Sequence, residues 1–424
     1  MSTPSVEEIR AAVAGREPQL VSLVQRLVRV PSVTGDEGPV QVLVEQEMRN
    51  LGLDVDIWEP SATELAPYTE HVGEFESLEG RPNVVGTWPG KGTGKSLILN
   101  SHIDTVEPGD PSSWSSPAYE AAIVDRSIIG RGALDMKGGL ATNLIAVAVL
   151  RDLGFTPGGH IHVESVISEE DGGAGALAAI LRGYRADAAI ITEPTNLSLV
   201  TAQGGSLVFR IRIQGKSAHA AMRNEGVSAF EKFIPVWNAL NAFEAERNRS
   251  IDHPLYRDIG NKIPINIGVV RSGSWASSVP EWLIAEGRAG LVPGEDLSDF
   301  KEALVQTVHN AAAADSWLAE HPPAVEWFSG QFAPAEIPAD HPIASTVSNA
   351  HNAVTGDTPA VRGVPFGADM RHFIQSGDMP CVMYGAGDVR LAHHASEAIA
   401  IDDLLVATAT VAASIVSWSR DSPS

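Results

Sequence analysis

Residues 96–106, SLILNSHIDTV, decide how this chain folds. The run SLILN reads as a buried strand, and it delivers two ionisable side chains, His102 and Asp104, to the strand's exit. The two-residue period of a strand places them on one face. In an apolar core each would cost about 1–3 kcal/mol unless it found a partner. A His–Asp pair can satisfy itself as a plain buried hydrogen bond. It can equally be a metal ligand whose second ring nitrogen is oriented by a carboxylate. The residues on either side decide between the two.

Working outward, HIHVESVIS (160–168) and DAAIITEP (187–194) read as further strands. KGGLATNLIAVAVLRDL (137–153) and GALAAILRGY (175–184) read as helices between them. This alternation predicts an α/β catalytic domain, a mostly parallel sheet with helices on both faces. Such sheets gather ligands at the carboxyl ends of their strands. His102, Asp104, Glu169, Glu170 and Glu193 all stand where an apolar run ends.

From about residue 206 the pattern changes. LVFRIRIQG (207–215) alternates as a strand, and a long amphipathic helix follows over 226–248. PINIGVVRSG (264–273) and SVPEWLIAEGRAGLV (278–292) read as two strands, 298–321 as a helix and PAVEWF (323–328) as a last strand. Strand, helix, strand, strand, helix, strand is the order of a ferredoxin-like α+β unit. The expected organisation is therefore a catalytic domain of residues 1–205 and 325–424, with residues 206–324 inserted. After the insert the α/β pattern returns, with MPCVMYG (379–385) as a strand and 401–419 as a helix. GKGTGKS (90–96) superficially matches a phosphate loop, but its glycine spacing is wrong and a strand follows it.

Composition narrows the function classes. At 424 residues the chain exceeds the usual size of one hydrophobic core, so two domains are expected. An apolar fraction of 44% is that of a globular protein. A formal net charge of −23, with no basic run, argues against nucleic-acid and acidic-membrane partners. The N-terminus reads as a charged amphipathic helix and not as a signal peptide. Apolar runs such as LIAVAVL are too short to span a bilayer. The single cysteine, Cys381, excludes an internal disulfide and thiolate metal clusters. These readings predict a cytoplasmic protein.

The remaining chemistry-bearing residues fall into short motifs: Asp135 in GRGALDMKGG, Glu169 and Glu170 in SEED, Glu193 in TEPT, His393 and His394 in AHHASE. Two histidines with several carboxylates suit zinc or another divalent ion. If Asp135 bridges two ions, each can take one His and one Glu, and one of the Glu169 and Glu170 pair is left free as a base. Adjacent residues on a strand point apart, so both do not serve one ion. This set offers an activated water, a proton-shuttling carboxylate and a Lewis acid, the requirements of hydrolysis.

The ordered set SHIDTV, GRGALDMKGG, SEED, TEPT and AHHASE resembles the family of acetylornithine deacetylase, succinyl-diaminopimelate desuccinylase, aminoacylase and glutamate carboxypeptidase, dinuclear zinc hydrolases. The resemblance covers essentially the whole chain, insert included. It implies two divalent ions, zinc with cobalt or manganese able to substitute. His102 and Glu193 would hold one, Glu170 and His393 the other, and Asp135 would bridge. Asp104 would orient His102, and Glu169 would be the general base and acid. In the family's motif the ligand His stands four residues before a Glu, which selects His393, four before Glu397, over His394. The insert would act as a lid and homodimer interface. His219 in GKSAHAAM would stabilise the oxyanion, in its own site or the partner's. Asn266, Arg288 and Arg371 would contact substrate. Relatives often carry Asn where this chain has Ser277, so no contact is carried over at that position. Glu193 in place of Asp points to the deacylase and carboxypeptidase side. The implied activity is hydrolysis of the N-acyl amide of an amino acid or similar small amine. Peptide cleavage and deformylation of a heterocyclic amine are the alternatives.

Overall fold

In the computed structural model, which describes residues 3–75 and 77–420, the opening stretch forms a strand because both of its faces are covered. The strands that precede and follow it are β1 (Asp54–Trp58), β2 (Asn83–Trp88), β3 (Leu97–His102), β4 (Ile161–Val166) and β5 (Ala189–Ile191). They are hydrogen-bonded in the order β1-β2-β4-β3-β5, and the strand Cys381–Met383 follows β5. β3 is parallel to β4 and β5, and Cys381–Met383 is parallel to β5, whereas β2 pairs antiparallel with both β1 and β4. The sheet is thus parallel at its centre. Every residue of β3 is buried, as a strand covered by helices on both sides requires.

Register sets the site. His102 lies opposite Val166 of β4, and Asn100 lies opposite Ile191 of β5. β3 and β4 therefore end level and β5 two residues short of them, and the residues just beyond, Asp104, Glu169, Glu170 and Glu193, follow the same ends of the three strands. The helix Gly138–Asp152 is buried from Gly138 through Leu150, the all-round apolar composition of a core helix. Gly139 permits its close approach, since a Cβ there would lie 2.2 Å from the Thr192 carbonyl oxygen just after β5. Ala133–Asp152 and Ile401–Trp418 are long and apolar enough to cross a membrane by composition, beyond the short runs visible in sequence, but both are mostly buried in this core.

The chain divides into two compact units. Unit 1 comprises residues 1–202, 336–362 and 368–424, and unit 2 comprises 203–335 and 363–367. The inserted unit therefore ends at residue 335 and not at the expected 324. β9 (Ala324–Trp327), the last strand expected of the insert, belongs to the sheet formed by β6 (Gly205–Gln214), β7 (Ile265–Ser272) and β8 (Trp282–Leu291). The order β7-β8-β6-β9 is antiparallel throughout, and the helices Ala229–Ser250 and Leu297–Ala313 complete the expected α+β order. Residues 363–367, read as part of the first domain, also belong to unit 2. Its core is Leu207, Phe209, Ile211 and Ile213 packed with Phe233, Val236, Phe300 and Leu304.

Candidate metal centre

The edge of the unit 1 sheet assembles the expected ligands. His102, 1% exposed, places Nδ1 3.0 Å from the Asp104 main-chain oxygen and Nε2 3.0 Å from Asp135 Oδ1. The carbonyl can accept only from Nδ1–H, which leaves Nε2 as the coordinating nitrogen. Glu193 Oε1 lies 3.8 Å from the same Nε2. The second oxygen of Asp135, Oδ2, lies 3.5 Å from His393 Nε2, and Glu170 contacts that nitrogen at 3.0 Å. Asp135 thus turns one oxygen toward each histidine. One ligand atom each from His102, Asp135 and Glu170 falls within 4.8 Å of the others.

The neighbouring histidine does something else. His394 is bound within its own turn, its Nδ1 2.6 Å from Ser396 Oγ. His393, with a backbone φ of 60°, is the one the chain turns toward the carboxylates.

Asp104 meets His102 chiefly through its main chain. Its Oδ1 is 3.6 Å from His102 Nδ1, too long for a hydrogen bond, so its main-chain carbonyl orients the ring. The carboxylate instead accepts from the main-chain N–H groups of Glu169 and Glu170, at 3.0 and 3.1 Å, and from Thr34 Oγ1 at 2.9 Å. It clamps the segment that carries the base candidate and a ligand. Arg81 braces the same segment, giving paired bonds to Glu37 and a 2.6 Å bond to Ser168 Oγ.

The electrostatics are those of a cation site. Burial raises Glu169 well above the usual carboxylate range, against the pull of His102. Burial likewise lifts Glu193 to about 8 and raises Glu170, the latter with help from Asp135. Burial would lower His102, yet Asp104 and Asp135 hold it well above its ordinary value. Asp135 and Glu170 lift His393 to about 10. Burial would raise Asp135, but His102 and His393 keep it below its ordinary value. Carboxylates that resist ionisation and imidazoles that cling to protons are matched to a divalent cation, which favours the ionised carboxylate and the neutral imidazole. The donor set fits a metal.

Other expected residues lie elsewhere. Arg371 does not present a free guanidinium to a substrate: it is 1% exposed and donates to the main-chain oxygens of Ala368, His71 and Gly172. Within unit 2, Asn266 and Arg288 face one another across β7 and β8. Arg288 donates to Ser206 Oγ and the Pro365 carbonyl. Also in unit 2, His219 is exposed, and its Nδ1 accepts the Ala221 N–H at 3.1 Å. Its proton is therefore on Nε2, which makes that atom a donor. Sequence reasoning missed Thr34 and Arg81, which carry no motif, and passed over Arg131 inside the motif of Asp135. Glu397 entered only as a spacing mark.

Residues 98–417 match Peptidase family M20/M25/M40. The chain is 27% identical to N-formyl-4-amino-5-aminomethyl-2-methylpyrimidine deformylase of Bacillus subtilis (strain 168), covering 97% of each chain. It is 28% identical to a probable carboxypeptidase of Arthroderma gypseum, covering 91% of this chain and 82% of that one. Its fold is that of the di-peptidase Dug1p from Saccharomyces cerevisiae, with a TM-score of 0.80 at 14% identity over the full length of both chains.

Proposed function

The chain belongs to Peptidase family M20/M25/M40 and is a metal-dependent amide hydrolase, and on that premise we propose that it removes a formyl or other small acyl group from a small amine. The observation that carries the chemistry is Asp135, one oxygen toward His102 and the other toward His393, with buried Glu169 beside them. The full-length match to a deformylase supports a small acyl group.

Two divalent ions, zinc first, would be held by His102 and Glu193 and by Glu170 and His393, with Asp135 between, and would supply an acidified water and a Lewis acid. Glu169 accepts the proton of the attacking water, which adds to the amide carbon. Its raised proton affinity suits it to hold that proton and deliver it to the leaving nitrogen. The Asp104 clamp holds the Glu169 main chain in place for both transfers. His219 donates its Nε2 hydrogen to the carbonyl oxygen as negative charge develops there. The exposed helix face of unit 2 forms a homodimer.

Amine release from N-formyl, N-acetyl and N-succinyl amines and from dipeptides, by chelator-stripped protein with and without zinc, tests the reading. Zinc-dependent release from formylated aminomethyl-heterocycles is expected. Cleavage confined to peptides with a free C-terminus would replace it with the carboxypeptidase reading, which the fungal relative supports.

A further inference from the structure

One buried carboxylate next to the centre is neither a ligand nor a base. Glu397 is 0% exposed. Its Oε1 accepts from the main-chain N–H groups of Leu134 and Asp135, at 3.0 and 3.2 Å, and its Oε2 accepts from Arg131 Nη1 at 2.6 Å. Strand pairing brings it there. Ala398 is in register with Ile129, so the Gly130 N–H reaches the Glu397 carbonyl at 3.0 Å and the side chain falls beside Arg131. Arg131, 2% exposed, also lies over the Trp114 ring.

The arrangement ties together the two loops that this strand pair brings side by side. Asp135 sits on the first loop. On the second, His393 stands four residues before Glu397, and the Glu397 N–H returns to the His394 carbonyl at 3.1 Å. We propose that Glu397 is a positioning residue for the metal centre: by accepting the Leu134 and Asp135 N–H groups it fixes the bridging carboxylate at the spacing from His393 that a bound ion needs. This rests on the metal-holding role of Asp135 and His393 argued above. The physical reason is that Asp135 must keep two oxygens aimed at two nitrogens. A side chain can swing about its Cα, and only a fixed main chain makes the aim reproducible. An ion pair that merely filled space could serve from Arg131 alone, without the two N–H contacts.

The two roles separate experimentally. Deleting Glu397 alone would strand the Arg131 charge, so two double variants are compared: Arg131→Met with Glu397→Gln, and Arg131→Met with Glu397→Leu. Both lack the ion pair, and only the first keeps an oxygen for the two N–H groups. Zinc affinity is read by competition with a chromogenic chelator, and zinc stoichiometry by elemental analysis. The Gln double is expected to bind zinc within about threefold of wild type, and the Leu double about 10- to 100-fold more weakly, with kcat falling at zinc saturation and KM unchanged. Equal affinity in the two doubles overturns the proposal. If the Leu double does not fold by circular dichroism, Glu397→Asp decides. It keeps the charge but withdraws the oxygens by one methylene, so weakened zinc binding supports the proposal and wild-type binding overturns it. A wild-type protein that binds no zinc overturns the metal reading itself, and this proposal with it.

Discussion

β3 and β6 start from similar apolar sequence and end in opposite circumstances. β3 is buried along its whole length, in the parallel part of its sheet, and everything polar is forced to its end. β6 alternates buried with less buried residues, in an antiparallel sheet with one solvated side, so polar groups such as Arg210 and Arg212 spread along its length and pair with Glu286 and Glu326. A strand enclosed on both faces concentrates chemistry at one point, while a half-solvated one disperses it over a surface. The clustered ionisable residues accordingly belong to unit 1, and the dispersed surface charges to unit 2.

The sharpest way to break that contrast is at the strand ends. Asp135→Ala removes the one carboxylate facing both histidines, so zinc content should drop and turnover fall to that of stripped protein. Two zinc ions retained by elemental analysis would take the bridging role from Asp135. Glu169→Gln is the cleaner cut. It preserves volume and leaves the Asp104 clamp, which holds only the main chain, so zinc content and thermal stability should match wild type. The kcat should fall about 10²- to 10⁴-fold, the range for a positioned acid–base group. An active Glu169→Gln enzyme would move the proton shuttle elsewhere.

What the sequence made legible follows the same line. Period-two and helical patterns are local, so β3, β4, β5 and the strand–helix order of unit 2 could be read from them. His102, Asp135, Glu170, Glu193 and His393 could be singled out because each lies in a short motif. Arg371 misled because its sequence neighbourhood says nothing of the carbonyls of His71 and Gly172 that claim it. The meeting of Asp104 with His102 is local, whereas the bonds from its carboxylate to Glu169 and Glu170 depend on β3–β4 register. Glu397 depends likewise on a pairing between residues 127–129 and 398–400. What stayed hidden was long-range hydrogen bonding, which leaves no periodic trace.

A smaller effect is expected in unit 2, where His219 is exposed and its Nε2 is the donor. His219→Ala should lower kcat about 10²-fold, the loss typical of one oxyanion donor, with zinc content unchanged. An unaltered rate would reduce His219 to a cap on the turn Ala220–Glu225.

The mildest test concerns association, and it also bears on His219. Phe230, Ile234 and Trp237 are 51%, 43% and 47% exposed on the helix Ala229–Ser250, and their spacing of four and three puts them on one face. Because β7 is an edge strand of its sheet, unit 2 offers a second copy both a helix face and a sheet edge. Trp237→Glu should weaken a dimer about 30-fold or more, as loss of an aromatic anchor does. Melting temperature and zinc content should hold, because the side chain already meets water in the monomer. Sedimentation of wild type as a monomer would end the dimer reading. If the dimer stands, mixing His219→Ala with Glu169→Gln protein tells which chain His219 serves. With His219 supplied across the interface, a mixed dimer has one site with both groups, and about a quarter of wild-type turnover should return after random exchange. With His219 serving its own chain, no site in the mixture is complete and the rate stays at the level of the separate variants. Recovery would make the surface of unit 2 part of the catalytic apparatus, and the division between buried chemistry and exposed recognition would then hold within a chain but not within the dimer.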